Sequence, residues 1–205
     1  MNNRKEALDA LNRAWPAIVS DCLAVLGSEL HYQAMIYHHL RTTGNLPHSQ
    51  LGMNVKMWIT DPVSDLFKLL DKKKHELYRG GFEPIPDVVI FKSEINGDWR
   101  RRNRENTLVQ MLVAIEVKAS ERRDSRLQPG EIRTDILKLS AHREEVVHRG
   151  GEMFPIMMII DSAHDPKERM TEYAVESSLK LATTHQVGFM YCSQVKVIST
   201  INEIL

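Results

Sequence analysis

Apolar and polar positions follow one another with two different periods along this chain, and the changes of period mark its elements. Residues 4–26 repeat every three to four positions, placing Ala7, Leu11, Trp15, Ile18 or Val19, Cys22 and Val25 on one side of an amphipathic helix. Pro16 falls inside that pattern and is expected to kink or split it. Gly27-Ser28 opens a second helix, with Ser28 suited to the N-cap and Glu29 to the first turn. Two faces of it read as apolar: Leu30, Ala34 and Tyr37 or His38, and Gln33, Ile36 and Leu40. Met53, Val55, Met57 and Ile59 then alternate with Asn54, Lys56 and Trp58, which predicts a half-buried strand over 53–59. Asp61 as cap and Pro62 at the first position predict a helix that carries Val63, Leu66, Phe67, Leu69 and Leu70 and ends in the solvated run 71–74.

Residues 86–91 and 112–118 are short β-branched runs and read as buried strands. The Asn96-Gly97 pair between them is a hairpin-turn signal and makes them antiparallel neighbours. A helix from Pro129 places Ile132, Ile136, Leu139 and Val146 on one face and stops at Gly150-Gly151. The unbroken apolar run 154–160 predicts a strand covered on both faces. A helix over 168–184, with Tyr173, Leu179 and Ala182 inward, leads to a buried strand at 187–191 and an edge strand at 195–199. The alternation of strand and helix predicts an α/β fold.

Into the two short strands are set charges that a purely structural strand avoids, because a buried unpaired carboxylate is costly. Side chains alternate along a strand, so Glu116 and Lys118 share one face and Ile115 and Val117 the other. Antiparallel pairing brings Asp87 beside Glu116. Two carboxylates and a lysine at one point suit a divalent cation with a cationic neighbour, and the Val117 carbonyl is a further oxygen donor. The other reading is an ion-pair cluster, although buried pairs rarely add net stability.

Pro86-Asp87 followed by Glu116-Val117-Lys118 resembles the motif of the PD-(D/E)XK nuclease superfamily, over roughly residues 28–192. The resemblance implies a restriction-endonuclease-like central mixed β-sheet flanked by helices on both faces, in one domain over 1–205 with 1–26 as an N-terminal helical extension. It implies a Mg²⁺-dependent deoxyribonuclease, with Mn²⁺ as a substitute, in which Asp87, Glu116 and the Val117 carbonyl hold the metal. Asp87, Glu116 and Lys118 then form the catalytic group, joined by Glu29. For Glu29 the plain reading is an acid favoured at a helix N-terminus. Gln128 has no tyrosine one helical turn later, so the helicase-associated branch of the superfamily is not implied. Asp135 and Lys138 read first as surface helix residues and second as supports of the site.

The chain carries 27 basic and 27 acidic residues, so bulk charge does not supply affinity for a polyanion. A local patch must do so. Arg100, Arg101, Arg102 and Arg104, beside Trp99, form the most basic stretch, and either track a DNA backbone or make a solvated arm. Cys22 and Cys192 are far apart in sequence and support neither a disulfide scaffold nor a zinc site, and no apolar run reaches membrane-spanning length. The expectation is a cytoplasmic protein acting on DNA without a membrane, as a homodimer or with a partner protein that supplies recognition. The alternative is a non-catalytic or partner-dependent binding subunit of a DNA-processing complex.

Overall fold

β3 (Met111–Ala119) is the strand on which the molecule is built. In the computed structural model, which describes residues 1–95 and 105–201, it lies third in a sheet of order β1-β2-β3-β4-β5-β6. β1 (Leu51–Met53) and β2 (Val88–Phe91) pair antiparallel, and β2 pairs antiparallel with β3. β4 (Phe154–Asp161) and β5 (Gly188–Ser193) continue in parallel, and β6 (Val197–Ser199) closes the sheet antiparallel. The sheet is therefore mixed.

Helices cover both of its faces. Val88, Ile90, Ile115, Val117, Ile156 and Met158 share one core with α1 (Arg4–Ala24) and α2 (Glu29–Thr42). Val89, Ala114, Met157, Ile159 and Phe189 share the other with α3 (Asp65–Lys72), α5 (Pro129–His148) and α6 (Glu172–Thr184). A short α4 (Glu105–Val109) precedes β3. β4 is buried at every position, as its unbroken apolar run requires. The residues of α1 belong to the first core, so the N-terminal helix packs within the molecule. Pro16 is accommodated inside α1, which runs on without being split.

Several expectations are corrected. The strand over 53–59 stops at Met53, because Asn54 takes a left-handed conformation (φ 50°) and turns the chain. The alternation of burial nevertheless persists: Val55, Met57 and Ile59 are buried, and their segment bonds to 82–84 through Met57 and Ile59. Asp61 is no helix cap. It too is left-handed (φ 48°), and α3 begins only at Asp65. In α2 the buried face is Tyr32, Gln33, Ile36, His39 and Leu40, whereas Leu30 is exposed. α6 starts at Glu172 behind the Thr171 cap, and Tyr173 faces solvent. The Asn96-Gly97 turn lies outside the described residues; the antiparallel pairing that it was expected to produce is present.

The entry to α3 is held from a distance. The carboxylate of Glu145 on α5, fully buried, accepts from the backbone N–H of Val63 (2.9 Å) and Ser64 (2.8 Å) and pairs with Arg149 at 2.7 Å. Glu145→Ala should leave these donors unpaired and lower unfolding stability by about 2 kcal/mol, measurable by urea titration. An unchanged midpoint would refute this role.

Candidate active site

Asp87 stands at the point where β2 leaves β3. Val88 is opposite Ile115, so continuing the antiparallel register sets the preceding residue, Asp87, opposite Glu116. The Asp87 carbonyl accepts from Asn54 N–H (3.0 Å), and its Oδ2 accepts from Val117 N–H (2.7 Å) where the β2–β3 ladder ends. The Asp87 backbone is thereby held by Asn54 and its buried side chain by β3.

Glu116 and Lys118 leave β3 on the α5 face, as alternation demands. Lys118 Nζ lies 3.5 Å from Glu116 Oε1, 3.4 Å from Asp135 Oδ2 and 3.2 Å from Glu29 Oε2, and donates to the Val117 carbonyl at 3.2 Å. Asp135 also pairs with Lys138, one turn further along α5, at 3.0 Å. Glu29 is brought in by the Ser28-capped start of α2, where its own N–H donates to Glu121 Oε2 at 2.8 Å. Four segments thus meet: the end of β3, the entry to β2, the start of α2 and the first half of α5.

The expected group of Asp87, Glu116, Lys118 and Glu29 is assembled at one place. Asp135, read first as a surface residue, is instead buried within it. A signal for this existed in the chain. Ile132, Asp135, Ile136, Leu139 and His142 follow one helical stripe, and all are buried. A carboxylate inside an apolar stripe needs a partner, and Lys118 is that partner. Arg100, Arg101, Arg102 and Arg104 lie outside the described residues. Arg122, in the loop after β3, is tied to Glu131 at 2.6 Å.

Burial, together with the neighbouring Asp87 charge, pushes the Glu116 carboxyl up to about 8, against the pull of Lys118. Burial also pushes Asp87 up to about 6; the Val117 N–H opposes this and the Glu29 charge adds to it. Burial works against the charge of Lys118, but Glu116, Asp135 and Glu29 outweigh it and hold the ammonium above its ordinary value. If all were ionised, four carboxylates (Asp87, Glu116, Asp135, Glu29) would face two ammonium groups (Lys118, Lys138). The raised carboxyls express burial first and that excess of negative charge second.

Among the described residues no three His, Cys, Asp or Glu side chains are grouped to hold a metal ion. The donors nearest to such a role are two carboxylates, Asp87 and Glu116, with the Val117 carbonyl. These are hard oxygen ligands in a negative pocket, and Mg²⁺ commonly uses one or two protein carboxylates with water and phosphate completing its shell. The residues fit that ion.

The chain matches no known family, curated protein or solved structure. Among the described residues no helix is long and apolar enough to cross a membrane.

Proposed function

We propose that this protein is a Mg²⁺-dependent nuclease that hydrolyses phosphodiester bonds in DNA, on a restriction-endonuclease-like form of the mixed sheet. The observation that carries the reading is the excess of carboxylate over ammonium at the end of β3, with the oxygen donors of Asp87, Glu116 and Val117 side by side. A bound Mg²⁺ would supply Lewis acidity and neutralise phosphate charge. Hydrolysis adds water at phosphorus, breaks one P–O ester bond and gives the leaving alkoxide a proton. Lys118, held between Glu29 and Asp135, is placed to stabilise the charge that builds on the phosphoryl oxygens. Glu29 and Asp135 act through Lys118 as positioning residues.

The direct test is incubation of the protein with plasmid, linear and branched DNA in Mg²⁺, Mn²⁺ or EDTA. Cleavage in either metal and none in EDTA is expected; intact DNA throughout would sink the nuclease reading. The balanced net charge favours a second reading, a nuclease-fold subunit that relies on a homodimer partner or another protein for recognition. That reading predicts Mg²⁺ binding, or none, without turnover by the isolated chain.

If Arg100, Arg101, Arg102 and Arg104 contact phosphates, replacing them with Ala should weaken binding to every sequence alike. It should also reduce the slope of log affinity against log salt by roughly 0.9 per lost contact. An unchanged slope in a filter-binding titration would make the arm a solvated loop.

A further inference from the structure

Beside the cluster lie two cavities of different character that meet at Asp135 and Lys138. The first, about 370 Å³, is charged, with Lys118, Arg122 and Lys138 set among the carboxylates of Glu29, Glu121, Glu131 and Asp135. The second, about 240 Å³, is walled mainly by hydrocarbon from Phe67, Phe82, Pro84, Ile85, Pro86 and Leu139, and Glu83, Glu116 and His142 also border it. Phe67 and Phe82 stack on each other, with ring centroids 4.2 Å apart. A nucleotide has the same division: an anionic phosphate and sugar on one side, and on the other a flat apolar ring with a polar edge. The second cavity falls below the roughly 300 Å³ at which pockets for drug-sized ligands begin, so it suits one ring system and not a whole nucleotide.

His142 is 2% exposed, and its Nε2 has no hydrogen-bond partner among the described residues. Burial pulls its pKa down to about 4, so the ring is neutral near neutral pH, with one nitrogen a donor and the other an acceptor. Base edges offer both complements.

We propose that the second cavity receives one unstacked nucleobase next to the phosphodiester held at Glu116 and Lys118, so that the substrate carries an unpaired or readily extruded nucleotide. This rests on the nuclease reading above and narrows it. Enzymes that take a base out of the stack favour mismatched, damaged or single-stranded positions, where unstacking costs least.

The test uses the full chain and duplexes that each carry one mismatched 2-aminopurine, scanned through successive positions in EDTA. Wild type should brighten the probe about threefold at one position, because extrusion removes stacking. Ile85, 41% exposed at the cavity, can be enlarged with little disturbance of the core, and Ile85→Trp should abolish the rise. His142→Phe keeps an aromatic side chain and removes both ring nitrogens. It should melt no lower than wild type and also lose the rise, which keeps the proposal falsifiable if Ile85→Trp fails to fold. No brightening at any position, or equal brightening in wild type and the folded variants, overturns the base pocket. Cleavage in Mg²⁺ is read separately. If no DNA is cut, the nuclease reading fails and the pocket is judged by fluorescence alone. If abasic and base-containing substrates are cut alike by wild type and Ile85→Trp, the nuclease stands and the pocket falls.

Discussion

Asp87→Asn is expected to lower both Mg²⁺ affinity and DNA cleavage, the latter by about 10²-fold or more. The amide oxygen can still accept from Val117 N–H, so the shape at the entry to β2 is kept while one metal-binding charge is lost. Lys118→Ala should behave differently. It removes the cation shared by Glu29, Glu116 and Asp135, so Mg²⁺ binding should survive or tighten. Cleavage should still be lost, because the work assigned to the ammonium belongs to the transition state. An ion-pair cluster without a metal makes the opposite forecast: both variants melt earlier and neither changes its response to Mg²⁺. Calorimetric titration and thermal melts on the two variants separate these outcomes. Equal Mg²⁺ affinity in wild type and Asp87→Asn would end the catalytic reading.

The second large effect is a coupling of pH, metal and stability. In the metal-free protein Glu116 titrates near 8 and Asp87 near 6, both above their ordinary values of 4.5 and 3.8. A carboxyl raised on folding contributes stability that is complete below its unfolded value and is lost as pH rises through its folded one. Metal-free protein should therefore melt at progressively lower temperature as pH rises from about 5 to about 8. Mg²⁺ favours the ionised carboxylates, so saturating metal should flatten that slope. Because the raised Glu116–Asp87 pair retains protons near neutral pH that Mg²⁺ must displace, binding Mg²⁺ should release protons. Calorimetry in buffers of different ionisation enthalpy reads this directly. Identical heats in all buffers would mean that the two carboxyls are not the ligands.

The architecture carries this chemistry through a simple division. β3 runs parallel to β4, and the polar cluster forms at its C-terminal end, where Lys118 reaches Glu29 of α2 and Asp135 of α5. Burial by hydrocarbon on both faces sharpens every charge interaction there. The same burial that makes Glu116 costly as a bare carboxylate would favour the Mg²⁺ proposed beside it.

How much of this was written in the chain itself differs from element to element. Local periodicity and capping chemistry determined α2 with its Ser28 cap, the two-sided burial of β4, and the shared face of Glu116 and Lys118, because each depends on neighbours within one segment. The antiparallel pairing that sets Asp87 opposite Glu116 was also legible from two adjacent β-branched runs. Other features required partners far away in the chain. β1 ends at Met53, before the left-handed Asn54, although the apolar alternation continues, because alternation reports burial and not ladder bonding. α3 begins at Asp65 and not at Pro62, its entry capped by Glu145 from α5, 81 positions from Ser64. Asp135 joins the site because the parallel crossover from β3 to β4 lays its helix stripe over Lys118. Sequence spacing determined which residues share a face; only the packing of helix on sheet decided which faces meet.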